Sequence, residues 1–228
     1  MPTKAAAKRK APGAKGQRRP LPLTREVPGK VSARDKLLDA AVHVVRQKGY
    51  AATSVDDLCR AAGVTKGAFF HHFASKEELG VAAAQYWSDF TTAFFDSAPY
   101  QQLSDPLDRL FGYIDFRREI LRGNIEDFTC LLGTMVQEAY ETSPKIRQAC
   151  DASISRHAAA VGRDIAAAKK LYAPDATWDP EELALFTQVV LQGSFILAKA
   201  KHGPAAAEAA VLHLKRYIEC LFSKKTGR

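Results

Sequence analysis

From residue 32 onward, apolar side chains recur three and four positions apart, between strings that cap or break helices. Leu37, Leu38, Ala41, Val42 and Val45 make one apolar face behind Ser32, which has an acid, Asp35, three residues on. Gly49 ends this first helix. Thr53 and Ser54 are alternative caps for a second helix whose inner face is Val55, Leu58, Cys59 and Ala62, with Asp56 and Asp57 in its first turn. Gly63 stands where a helix ends with positive φ. Thr65 caps a short helix, Lys66–His72. Ser75 and Glu78 form a Ser-x-x-Glu box for a longer fourth helix that carries Leu79, Ala82, Ala83, Tyr86, Phe90 and Phe94 toward Pro99.

The remainder continues in the same period. A fifth helix starts at Ser104–Asp105–Pro106 and runs to Gly123, a sixth covers about Ile125–Tyr140, and a seventh opens at Ser143–Pro144 and reaches Leu171. After the loop APDATWDP an eighth spans Pro180–His202. A ninth follows the Gly203–Pro204 break to Phe222. No stretch alternates with period two and no segment repeats, so the expected fold is all-α with about nine helices.

The stretch GVTKGAFFHHFASKEEL, residues 63–79, is the most informative. Helix, glycine turn, short helix and capped longer helix is the layout of a helix-turn-helix, which presents its second helix to the major groove of double-stranded DNA. Thr65, Gly67 and Ala68 are short enough to let that helix approach closely. Thr65 can offer its hydroxyl and amide to a phosphate, and Lys66 can reach a phosphate or a guanine edge. His71 and His72 can meet phosphate or base, although His72 is equally suited to pack against Phe73. Phe69 and Phe73 read as core.

Charge adds a second pointer to a polyanion. Residues 1–30 hold nine Lys/Arg against one acid, Glu26, which accounts for the whole net charge of +8. Rich in Ala, Pro and Gly, this segment is expected to be a disordered tail that either solubilises the chain or tracks DNA without sequence preference. Cys59, Cys130, Cys150 and Cys220 form no CxxC pair, so neither a metal site nor a disulfide framework is expected, nor is any cofactor. The N-terminus shows no apolar signal core and no run of about 18 apolar residues occurs, so a cytoplasmic protein without a membrane span is expected.

At residues 63–79 the chain resembles the TetR family of bacterial transcriptional regulators. Gly63, Val64, Thr65, Lys66, Gly67, Phe69, His72, Phe73, Ser75, Lys76, Glu77 and Leu79 carry the resemblance, and the helices before them share its layout. Phe70 stands where the family usually has tyrosine, so the ring lacks a phosphate-bonding hydroxyl. Thr53 and Lys76 resemble the family's backbone clamps, and Ser54 and Phe70 are further candidate DNA contacts. The resemblance implies a DNA-binding domain over residues 31–92 and a ligand-binding and dimerisation domain over 93–224. The basic tail at 1–30 precedes them.

The second domain is rich in aromatics. Phe94, Phe111, Phe116, Cys130, Thr134 and Phe186 are the candidate lining of an apolar cavity for a small, apolar or amphipathic inducer. Cys130 reads either as a sensor thiol or as a small buried hydrophobe. Helices eight and nine are the expected dimer interface, through Val189, Gly193, Ile196, Leu214, Tyr217 and Leu221 on a twofold axis. The implied function is a homodimeric repressor reading a palindromic operator, with a DNA-architectural protein or an activator without inducer as the alternative. No GxSxG elbow, P-loop or HExxH string supports an enzyme.

Overall fold

The computed structural model describes residues 32–223; the basic segment 1–30 lies outside the described residues. Ten α-helices are present there, with no strand: α1 Ala33–Lys48, α2 Val55–Ala62, α3 Lys66–His72, α4 Lys76–Asp96, α5 Pro106–Glu119, α6 Ile125–Phe128, α7 Leu131–Ala139, α8 Pro144–Tyr172, α9 Pro180–Ala200 and α10 Ala205–Phe222. A single 3-10 turn, Pro99–Gln102, links α4 to α5.

The caps form as their residue types dictate. Ser32, Thr65 and Ser75 each accept the backbone N–H three residues ahead at 3.1 Å. Ser54, not Thr53, caps α2, in a box with Asp57. Gly63 ends α2 at φ 63°, ψ 38°, the left-handed region that turns the chain into α3.

Two expectations needed correction. The fifth helix stops at Glu119, short of Gly123. The sixth is two helices, because Thr129 and Cys130 are extended. The Thr129 hydroxyl donates to the Ile125 carbonyl at 2.8 Å, and the Thr129 carbonyl accepts from Arg46 Nη1 at 3.4 Å. Arg46 is a buried cation of α1 whose guanidinium lies 4.7 Å from the Trp87 ring centre and whose Nε donates to the Val42 carbonyl. Burial pushes its pKa down to about 10.

Two apolar clusters result. The first packs Leu37, Leu38, Leu58, Phe69, Phe73 and Leu79 of α1–α4 and their loops against Leu131 and Met135 of α7 and Ile146 of α8. Phe69 and Phe73 are therefore core, as expected, at 0% and 2% exposure. Loss of one such ring costs about 3–5 kcal/mol. The second cluster joins Phe95 at the end of α4 to α5, α8, α9 and α10. α4 serves both, so a division at 92/93 falls inside one continuous helix.

α9 alone among the described residues is long and apolar enough to cross a membrane by length and composition, with a mean hydropathy of 1.5. Its inner side packs along α8 and α10, like a core helix.

Candidate nucleic-acid interface and cavities

α3 is held on its inner side by Phe69 and turns Lys66, Gly67, Phe70 and His71 outward. Phe70 is 55% exposed and lies edge-on to Phe69, with ring centres 5.1 Å apart. A Cβ at Gly67 would meet nothing but Thr65 Oγ1, at 3.7 Å. The bare backbone there serves no internal packing. Thr65 is exposed, and its Oγ accepts the Ala68 N–H. Ala68 and His72 are half-buried, and the His71 and His72 rings lie 4.9 Å apart.

The surface around α3 is cationic but braced by acids. Lys66 Nζ lies 2.8 Å from Asp56 Oδ1, and this bond raises the lysine's pKa. Asp57 is held well below the usual carboxylate range by Lys48 at 2.6 Å and by Ser54. Both pairs are at the surface, where solvent screens such bridges and they add little to stability. Lys66 is thus tethered across the α2–α3 turn by a bond weak enough to exchange for a phosphate.

Two expected DNA contacts take other roles. The Thr53 side chain is 1% exposed and its Oγ1 donates to the Gly49 carbonyl at 2.6 Å. Lys76 turns inward. Its ammonium donates to the Tyr50 and Thr53 carbonyls at 3.0 Å each and lies 4.4 Å from the Tyr50 ring centre. Desolvation lowers its pKa. Lys76 is a latch that fixes the α1–α2 loop to α4. Ser54 remains exposed.

An opening of about 770 Å³ lies against the head between α1 and α4. Others border the body. One, about 350 Å³, lies between α4, α5 and α8, bordered by Phe95, Tyr100, Tyr113, Arg156, His157 and Asp164. A second, about 70 Å³, shares Thr92, Phe95 and His157 with the first and adds Trp87, Arg117 and Cys130. A third, about 220 Å³, is bordered by Cys130, Thr134, Ile196 and Lys199. There Thr134 Oγ1 accepts Lys199 Nζ at 2.6 Å.

Of the expected lining residues, Cys130 and Thr134 border openings. Phe94 and Phe116 stand one layer behind, packed on Phe95 at 5.3 and 5.8 Å between ring centres. Phe111 lies in the second cluster, 5.9 Å beneath Lys215 Nζ. Phe186 borders none of these openings: it is 40% exposed, edge-on to Tyr217. Helical period places it on the outer face of α9, away from the two adjoining cavities.

Residues that the sequence pattern missed lie between the two adjoining openings. Tyr113 Oη and Arg117 Nη2 approach His157 Nε2 at 3.0 and 2.7 Å, and Arg117 Nε donates to Tyr113 Oη at 3.0 Å. Burial, aided by Arg117, pushes the His157 pKa down to about 3, so the imidazole is neutral and Nε2 accepts. No motif announces this group; one histidine in an alanine-rich helix is the only signal.

The outer face of α9 exposes Leu185, Phe186, Val189, Ile196 and Leu197, with Tyr217 of α10 beside them. Gly193 opens onto the same side, where a Cβ would meet nothing. Leu214 is only 3% exposed and Leu221 is half-buried against the second cluster, so both are committed to the chain's own core. Phe195 likewise faces inward.

Comparison with known proteins places these features. The profile "Bacterial regulatory proteins, tetR family" matches residues 37–83, and "Tetracyclin repressor-like, C-terminal domain" matches 106–214. The chain is similar to the transcriptional regulator AcuR of Cereibacter sphaeroides, 27% identical over 79% of this chain and 82% of that one. It is also similar to the repressor KstR2 of Mycolicibacterium smegmatis, 36% identical over 36% of this chain and 39% of that one. Among solved structures, a regulatory protein TetR from Rhodobacter sphaeroides superposes with a TM-score of 0.73 at 24% identity, covering 81% of this chain and 98% of that one. Reduced NemR of E. coli gives 0.67 at 22%, covering 81% and 96%. With matches to the family over both the DNA-reading head and the helical body, the chain belongs to the TetR family of DNA-binding transcriptional regulators.

Proposed function

We propose that this chain is a cytoplasmic, homodimeric repressor that reads a palindromic operator and is released by a small molecule bound in its body. The head corresponds to residues 31–92 and the body to 93–224. One observation carries the reading. α4 starts at Lys76, next to the recognition helix α3, and carries in its last turn Phe95, which borders both adjoining cavities. A ligand that moves Phe95 moves the same rigid element that carries the head. It can shift the equilibrium only as far as it binds the two arrangements unequally, typically by about 1–3 kcal/mol.

The exposed stripe on α9 supports pairing of two copies, because contiguous apolar surface of this kind marks an interface. In the pair, two α3 helices would enter half-sites about 34–36 Å apart. Ser54, Thr65, Lys66, Gly67, Phe70 and His71 are the residues free to meet DNA, with half-buried Ala68 and His72 at the edge. An operator selected from a random duplex pool supplies the test. Lys66→Ala and Thr65→Ala should each weaken binding to it by about tenfold, or 1.4 kcal/mol, with helix content and assembly unchanged. Equal affinity of both variants and the parent protein at matched salt removes α3 as the reader. Near-equal binding to every duplex would favour an architectural protein instead.

A further inference from the structure

Arg117 has no carboxylate partner among the described residues. Its guanidinium is stacked over Phe95 at 4.2 Å and over Tyr113 at 5.3 Å. Its hydrogen bonds go to neutral acceptors, Tyr113 Oη and His157 Nε2. A guanidinium has five N–H donors, so most of this one's remain free to meet a guest. Of the acids on α5 and α8, Asp164 pairs with Arg109 and Asp115 with Lys215, each at 2.7 Å.

The 70 Å³ opening beside Arg117 has no acidic residue in its wall. Its polar lining is made of hydroxyls and amides, among them Ser88, Thr91, Ser153 and Gln188. Gln188 is 5% exposed and its amide donates to Tyr113 Oη at 3.4 Å, so it braces the same group. One fixed positive charge, several neutral donors and no negative charge describe a receptor for a single anion. The planar fork of a guanidinium matches the two oxygens of a carboxylate. The second charge of a phosphate would have no partner here. A cation would be repelled. A wholly apolar guest would leave Arg117 desolvated without a counter-charge, which is costly.

We infer that the small opening seats the carboxylate of an organic acid on Arg117, and that the acid's apolar body extends into the adjoining 350 Å³ cavity against Phe95, Tyr100, Leu110 and Val161, with the exposed Asp96, Arg156 and Arg163 at its border. This deepens the ligand-responsive reading above and rests on it. Phe95 and His157 form the wall common to both spaces, their ring centres 4.9 Å apart, so a guest that fills both has to part them. Phe95 belongs to α4, which joins this seat to the head.

The test compares each of three acids, hexanoate, benzoate and 3-phenylpropanoate, with its own primary amide by titration calorimetry on the full chain. The pairs differ little in shape and fully in charge. At least one acid is expected to bind about tenfold or more tighter than its amide. Arg117→Gln should abolish that preference, and Arg117→Lys should retain part of it. Equal binding of every acid and its amide, or no binding by any acid, overturns the inference, and the parent protein alone gives this result should a variant misfold. An acid preference that survives Arg117→Gln overturns it as well. Operator affinity followed in the same titrations separates the two claims. An acid that binds through Arg117 without loosening the operator upholds the seat and removes the ligand response. A neutral or cationic compound that releases the operator, while no acid binds, removes the seat and leaves the response.

Discussion

Substituting Gly49 by alanine strikes the joint between head and body. Gly49 ends α1 with φ 93° and ψ 159°, a conformation open to glycine and strained by about 1–3 kcal/mol for other residues. A Cβ there would also run into the carboxylate of Glu138 on α7. That carboxylate accepts the Ala51 N–H at 2.6 Å, a bond from the α1–α2 loop to the body. The glutamate is flexible and can swing aside, but only by giving up this bond, which costs about 1 kcal/mol at an exposed site. Backbone and side-chain terms together predict a loss of about 2–4 kcal/mol for Gly49→Ala. For a chain of this length each kcal/mol lowers Tm by about 2–4 °C, so thermal unfolding followed by circular dichroism should shift down by about 4–16 °C. Protomer concentration has to be held fixed, since association raises the apparent stability. Glu138→Ala alone should cost about 1 kcal/mol. In that background Gly49→Ala retains only its backbone cost, so the double variant is less unstable than the sum. A Gly49→Ala protein within about 0.5 kcal/mol of the parent, the range of an inconsequential surface change, would refute the strain argument. Strict additivity would refute the role of Glu138.

Other perturbations follow from the same structure. Ile196→Asp places a charge on the exposed apolar face of α9 and should yield monomers at micromolar concentration by sedimentation; Phe195→Asp should instead unfold the chain, because that ring is inside. An unchanged Ile196→Asp assembly would move the interface elsewhere. His157 stays neutral in the fold to about pH 3, while its unfolded counterpart gains a proton below about 6.5. Its contribution to stability is therefore intact above 6.5 and lost as pH falls, by about 2 kcal/mol between pH 6.5 and 5. His157→Asn should remove that share of the slope in urea titrations, and parallel profiles would contradict it. Deleting residues 1–30 removes the chain's entire net charge of +8 and should flatten the log–log salt dependence of DNA binding by about 0.9 for each phosphate that the segment neutralises. An identical slope would make the segment a bystander.

Helix positions were legible because capping and period are local. Ser32, Thr65 and Ser75 act within three residues of themselves, and Gly63 declares its own dihedral angle. The break at Thr129–Cys130 was not, because its cause is distant in sequence: Arg46, held in α1, reaches across to the Thr129 carbonyl. Lys76 shows the same limit. Its position at the start of α4 fits a phosphate clamp, but the decision is made by the Tyr50 and Thr53 carbonyls, which a turn more than 20 residues upstream delivers to it.

Periodicity says which side chains face inward, and an inward residue can fill space or border it. Phe94, Phe111 and Phe116 fill; Phe95, next in sequence to Phe94, borders. No sequence window separates these, because the void is defined jointly by α4, α5 and α8. The chemical character of the void is harder still to read. Arg117 stands in a run, FRRE, that looks like any solvated helix end. Only the convergence of Phe95, Tyr113 and His157 around it shows a half-buried cation held by neutral partners. The aromatics alone suggest an apolar or amphipathic guest; the proposed carboxylate seat rests on Arg117, which they do not reveal. The candidate DNA contacts are easier to read, because Thr65, Lys66, Gly67, Phe70 and His71 lie within seven residues of one another and all are exposed.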